Sequence, residues 1–435
     1  MPSRVLFRGV RLVDPVRGHD AITAVLVEDG IVAAVDAEIA VPAGAEVIDA
    51  GGLVMTPGLV DLHAHLREPG SEHKETVETG SRAAAAGGFT ALCAMPNTDP
   101  VADNVAVIAE VRALADKAGL CEVYPAGAIT RGLQGESLTD IGEMAEAGVR
   151  IFTDDGNCVQ SSRVMRLALE YAGPFGVVVF QHAQDADLSE GWQMHEGHAS
   201  ALLGLTGVPA EAEEIIVARD LALARLTGGR LHLTHLSSAR SVDLVRDAKA
   251  RSGERVTADV TPHHLTILDD ALSGYDTNLR VNPPLRTAEH RDALRAGLAD
   301  GTVDAVATDH APHAPEEKEQ EFDQAPPGTT GLETALAVVL TELVEPGLLP
   351  LTQAVAALSA RPAAILGLRD HGGPVSPGRP ANLTVFDPDA GWVVGERPFR
   401  SMARNCAFTG RRLRGSVVHT LLQGVFTFKD GEPTK

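Results

Sequence analysis

A chain of 435 residues that is 44% hydrophobic and 22% charged has enough apolar material for a sizeable core, which excludes bulk disorder. Its formal net charge of −22 repels phosphate backbones and anionic bilayers, so neither nucleic acid nor a membrane is an expected partner. No apolar run reaches the roughly 18 residues of a membrane span, and Cys93, Cys121, Cys158 and Cys406 are scattered without a CxxC pair, which excludes a disulfide framework and a thiolate zinc site.

Residues 1–54 read as short strands broken by turns. VLFRGVRLV, TAVLVEDG and GIVAAVDA alternate around Asp-Pro, Asp-Gly and Gly signals. Residues 55–365 change to strand followed by helix, eight times over. The strands are MTPGLVDLHAH, FTALCAMPN, CEVYPAGAIT, VRIFTDD, VVVFQHA, RLHLTHLS, RVTADVTPHH and VDAVATDHAPH. Stretches of helical period follow them, TVETGSRAAAAGG after the first and AEEIIVARDLALARL after the fifth. This pattern predicts an α/β fold, a (β/α)₈ TIM-type barrel. An open doubly wound sheet would need a phosphate-cradling GxGxxG in its first turn, and there is none. Residues 366–435 return to strands, ANLTVFDP and then RRLRGSVVHTLLQGVFTFKDG. Neither end alone offers enough strands for a core, so both termini are expected to build one small β-sandwich domain.

Barrel active sites lie at the C-terminal ends of the strands. Read in order, those ends give His63 and His65, Asn97, Thr130 and Arg131, Asp154 and Asp155, His182, His235, His263 and His264, then Asp309 and His313. A buried strand has no structural reason to end so regularly in polar groups. His63 and His65, two apart on a strand, point to the same face. Imidazole and carboxylate together suit zinc. Four histidines and two carboxylates are too many ligands for one catalytic ion and fit two ions about 3.5–4 Å apart. Ordinary packed histidines and, for Asp309, a helix N-cap are the plain alternatives.

DLHAHLREPG, AMPNTDP, FTDDG, LHLTHLS, VNPPLR and ATDHAPH together resemble the bacterial dihydroorotases of the amidohydrolase superfamily. The likeness runs over essentially the whole chain, with LREPG, MPNT and NPPLR its narrowest marks. It implies reversible cyclisation of N-carbamoyl-L-aspartate to L-dihydroorotate, a step of pyrimidine synthesis. It makes His63, His65 and Asp309 ligands of one zinc, and His182 and His235 ligands of the other. A carboxylate of FTDDG and a hydroxide would bridge the pair. Neighbouring strand residues face opposite ways, so Asp154 and Asp155 should not both bridge; the spacing within the family favours Asp155. Relatives that bridge their metals with a carbamylated lysine at this strand are disfavoured, because no lysine lies between Lys117 and Lys249.

In the implied mechanism, hydroxide attacks the ring carbonyl and Asp309 shuttles the proton. Arg67 can supply a bidentate fork for the substrate carboxylate. The resemblance adds His65, Asn97, Asn282, His313 and the backbone at Pro327 and Gly328 as substrate contacts. APHAPEEKEQEFDQAPPGTTG reads as a loop over the site. His232 is expected to be structural and Cys93 to be core, and His195 and His198 to be solvated loop residues. A cytoplasmic homo-oligomer is expected, with aspartate transcarbamoylase as the partner the resemblance suggests. The competing functions are another cyclic-amide hydrolase, an allantoinase or hydantoinase, and a non-catalytic scaffold subunit of aspartate transcarbamoylase.

Overall fold

The computed structural model describes residues 4–251 and 255–434. Eight short parallel strands form the barrel: Leu59–Ala64, Phe89–Ala94, Glu122–Pro125, Ile151–Phe152, Val178–Gln181, Leu231–Leu233, Val256–Val260 and Ala305–Val306. Continuous pairing joins the first three and, separately, the last five. Two parallel bridges, Gly127 with Phe152 and Ala64 with His310, connect the two groups and close the ring. The first two strands are buried along their whole length, as expected where both faces are covered. One apolar cluster (Leu59, Phe89, Leu92 and Leu233) runs out to the helices through Val107, Met165, Ile216 and Leu294. Another, with Val60, Leu62, Cys93 and Phe180, fills the inside.

Local chemistry sets the helices. TVETGSRAAAAGG becomes Val77–Ala86, capped by Thr76, whose hydroxyl accepts from the Thr79 amide. AEEIIVARDLALARL lies within Glu211–Thr227, with three glutamates in its first turn and Gly228 ending it at φ 69°.

The two ends of the chain meet in one nine-stranded sheet. Its seam is the antiparallel pairing of Val54–Pro57 with Leu383–Val393. Val5, Phe7, Val25 and Val27 from one terminus share a core with Leu383, Val385 and Leu421 from the other. The register of the first barrel strand shifts between Asp61 and Ala64, an irregularity of the kind that re-aims side chains beside a site. No helix among the described residues is long and apolar enough to cross a membrane.

Candidate active site

Six buried side chains from five strand ends come together, with Asp155 at their centre. Its Oδ2 lies 3.1 Å from His63 Nε2 and 3.4 Å from His65 Nε2. Its Oδ1 lies 3.6 Å from His235 Nε2 and 3.8 Å from His182 Nδ1. Asp309 Oδ1 closes the other side, 3.5 Å from His63 Nε2 and 3.3 Å from His65 Nε2. Among the described residues, two groups able to hold a metal ion share the one carboxylate: His63, His65 and Asp155, and Asp155, His182 and His235. Asp154 points elsewhere and accepts from the Thr130 amide at 2.9 Å and from the Thr130 hydroxyl.

The donor set fits cations. His63 Nε2 and Asp155 Oδ1 are buried without a hydrogen-bond partner, and His182 Nδ1 faces His235 Nε2 at 3.0 Å. Buried polar atoms left unpaired are costly, whereas lone pairs converging on one point are what a metal ion takes up. Charge points the same way. Burial pushes the His63 ring down, but Asp155 and Asp309 outweigh it and raise it to about 10. Burial pushes both carboxylates up, yet the surrounding imidazoles bring Asp155 well below and Asp309 below the usual carboxylate range. The two anions demand positive charge between them. Burial holds His182 below its ordinary value, neutral as a ligand must be.

Outer contacts set the ring orientations. His65 Nδ1 lies 2.9 Å from Asn97 Oδ1, and His182 Nε2 lies 2.8 Å from Gln184 Oε1. Each ring thus donates outward and turns its other nitrogen inward. The His235 amide donates to Asp259 Oδ1 at 2.6 Å, and Asp259 Oδ2 takes His232 Nε2 at 2.8 Å. Arg67, His235 and Asp309 all have left-handed backbones, with φ of 63°, 38° and 46°. Non-glycine residues seldom adopt that conformation, and they cluster at functional sites when they do.

The remaining candidates form a rim. Arg67 Nε donates to Pro312 O at 3.1 Å, the one hydrogen bond of its side chain among the described residues. Asn282 Nδ2 donates to Gln184 Oε1 at 2.9 Å, while its Oδ1 is buried and unpartnered. His313 lies 3.0 Å from Pro327 O through Nε2 and 3.2 Å from Glu317 Oε2 through Nδ1. Both neighbours are acceptors, but burial, Arg67 and Lys318 bring the ring down to about 3, so one contact at a time carries a proton at neutral pH. The stretch after Asp309 includes a short helix, Pro315–Lys318. It is pinned by Lys318 Nζ donating to Thr277 O and Pro326 O, each at 2.8 Å. A cleft of about 590 Å³ opens next to Gln184, lined also by Gly156, Gln160 and Trp192 among others, with none of the site histidines in its wall.

One expectation needs correcting. His195 is buried rather than solvated, and its Nδ1 accepts from Arg286 Nη1 at 3.0 Å; burial and then Arg286 bring it down to about 4. His198 is exposed. His232 is packed, stacked on Phe180 at 4.2 Å, and Cys93 is core. His263 and His264 are buried, and His264 Nε2 donates to Pro283 O at 2.9 Å. Sequence reasoning missed Gln184 and Asp259. Gln184 sits two residues past His182 and was the more accessible of the two, since the i and i+2 parity that paired His63 with His65 applies there too.

Comparison with known proteins gives a consistent picture. Residues 52–241 match the dihydro-orotase-like family and residues 216–427 the amidohydrolase family. The dihydroorotase of Pelotomaculum thermopropionicum is 51% identical over 427 residues, 98% of this chain and 99% of that protein. The dihydroorotase of Anaeromyxobacter dehalogenans is 49% identical over 433 residues, 99% of both. Among solved structures, L-hydantoinase (dihydropyrimidinase) from Arthrobacter aurescens superposes with a TM-score of 0.88 at 26% identity, covering 100% of this chain and 98% of that one. Dihydropyrimidinase from Brevibacillus agri gives 0.84 at 22% identity, covering 99% and 96%, a likeness of fold.

Proposed function

The chain belongs to the dihydroorotase family, and from that premise we propose how its site performs the reaction. The enzyme is a cyclic amidohydrolase that interconverts N-carbamoyl-L-aspartate and L-dihydroorotate. His63, His65 and Asp309 would hold one zinc ion and His182 and His235 a second, with Asp155 contributing to both. When bound, the ions supply Lewis acidity at the carbonyl and bring water toward ionisation near neutral pH.

The chain's own groups do the rest. Arg67, whose side chain makes its hydrogen bond among the described residues through Nε, turns the outer edge of its guanidinium to the substrate carboxylate. His313 and the backbone at Pro327 and Gly328 complete that wall, and Asn97 adds its amide from the second strand. Asn282 offers its unpaired Oδ1 to a substrate N–H. Asp309, held ionised by the imidazoles around it, is the proton carrier. In ring opening it takes the proton of the attacking water and delivers it to the departing ring nitrogen; in ring closure it removes the ureido proton.

The observation that carries this reading is the position of Asp155, one carboxylate facing four imidazoles in a segment without lysine. The test measures zinc per chain alongside ring opening of L-dihydroorotate. Close to two ions with turnover supports the reading. Turnover of uncharged dihydrouracil in preference to dihydroorotate would favour a hydantoinase-type activity instead. Family membership also supports a cytoplasmic homo-oligomer and aspartate transcarbamoylase as a partner, which sizing of the purified protein alone and with that enzyme would check.

A further inference from the structure

The wall formed by His313, Pro327 and Gly328 is held by a residue from outside the barrel. Asn405 lies between the sheet strands Leu383–Val393 and Arg412–Leu422 and is buried. Its Oδ1 accepts from the His313 amide at 3.1 Å. Its Nδ2 donates to Ala311 O and to Gly328 O, both at 3.0 Å. Its own carbonyl accepts from the Thr330 amide at 2.9 Å and the Thr329 hydroxyl at 3.1 Å. Both donors and the acceptor of the carboxamide are engaged. A flipped amide would set nitrogen against N–H and oxygen against two carbonyls, so the orientation is determined.

The two arms that Asn405 joins come very close. Gly328 has φ of 144°, and a Cβ there would fall 2.8 Å from His313 Nε2 and 2.9 Å from Ala311 Cβ, so only glycine fits. The His313 ring and this backbone are therefore in direct contact, with Nε2 3.0 Å from Pro327 O. The segment bearing Asn405 is itself fastened to the barrel. Glu333 accepts from the Arg400 and Ser401 amides at 2.9 and 3.1 Å. Glu75 accepts from the Ser401 hydroxyl and from the Met402 amide at 3.1 Å. Glu75 also lies 3.4 Å from His310 Nε2, and His310 O accepts from the His65 amide at 2.8 Å. Two barrel carboxylates thus hold the strap, and the strap holds the rim.

We propose that Asn405 is a positioning residue for substrate recognition: it makes the C-terminal segment a working part of the active site by setting the gap between His313 and Gly328. The proposal rests on the reading of that rim as the carboxylate-binding wall. A group that merely supports the fold lowers the folded fraction and Tm while leaving the KM of the folded molecules unchanged. A group that sets the rim raises KM with kcat little altered, because binding is lost equally in ground and transition states.

The experiment compares Asn405→Ala, Asn405→Asp and Asn282→Ala with the wild type in the metal-loaded enzyme, reading kcat, KM for L-dihydroorotate, metal per chain and Tm. Asn405→Ala should raise KM about tenfold or more with kcat within about threefold and metal content unchanged. Asn405→Asp keeps the shape and the contact to the His313 amide but loses both donations. It should raise KM in the same direction, and it serves alone if the alanine variant does not fold. KM within about twofold of wild type in the folded variants, while Asn282→Ala raises it, overturns the proposal and leaves the site reading standing. An unchanged KM in Asn282→Ala as well, or no turnover of dihydroorotate by the wild type, overturns the site reading and the proposal with it.

Discussion

Asp155 Oδ2 stands 3.1 Å from His63 Nε2 but off the line of a hydrogen bond, and the histidine nitrogen has no other partner. Such a pair is arranged around a third body rather than around a shared proton. Since both metal-binding groups include this carboxylate, Asp155→Ala should strip metal from both. The fall in affinity should exceed the roughly 10–100-fold that follows loss of an outer supporting group. Elemental analysis after dialysis measures it, and full metal content in the variant would refute the shared role.

Asp309 leaves the eighth strand with a left-handed backbone and stands 3.3 Å from His65 Nε2. Asp309→Asn keeps an oxygen for coordination but cannot carry a proton. Turnover should drop by about two to four orders of magnitude while much of the metal stays bound. Near-normal kcat would remove Asp309 from the proton path.

The Arg67 side chain hydrogen-bonds through Nε, to Pro312 O, and among the described residues it makes no other such bond. Arg67→Met preserves the aliphatic stem and deletes the fork, so substrate capture should suffer most. An increase in KM of about 100-fold, with a smaller change in kcat, is the expected result. Steady-state kinetics on dihydroorotate decide it, and an unchanged KM would count against a carboxylate contact.

Acid should destabilise the fold partly through His264. Burial is the main reason its ring falls to about 4, below the ordinary 6.5. The unfolded chain therefore takes up a proton that the native state refuses. The stability this residue confers is complete above pH 6.5 and is lost as pH falls toward 4, up to about 3 kcal/mol. In His264→Gln, the Tm difference between pH 7 and pH 5 should shrink. Identical acid dependence in variant and wild type would show that His264 does not titrate as described.

Much of the architecture is legible in the sequence, for reasons that particular elements make clear. The parity of a strand puts His63 and His65 together, and helical period marked Val77–Ala86 and Glu211–Thr227. Thr76 and Gly228 terminate those helices through neighbours a few residues away. Parity also said that Asp154 and Asp155 must part company. Which of them turns to the histidines depends on Thr130, which takes Asp154 from 24 residues away. His195 differs from the expectation for a similar reason: it is buried against partners such as Arg286, 91 residues further on, and a loop composition does not reveal them.

The strand–helix alternation, the kinds of ligand available at the strand ends and the absence of a bridging lysine are properties of the chain alone, because they depend on local periodicity and on side-chain chemistry. Folding sets how the ring closes through Ala64 and His310, that one oxygen pair on Asp155 faces four imidazoles, and that Asn405 reaches 92 residues back along the chain to the His313 amide. Those outcomes turn on packing between residues distant in the chain. Hydrogen bonds and charges act over a few ångströms, so only the folded arrangement fixes which of many chemically suitable partners come within reach.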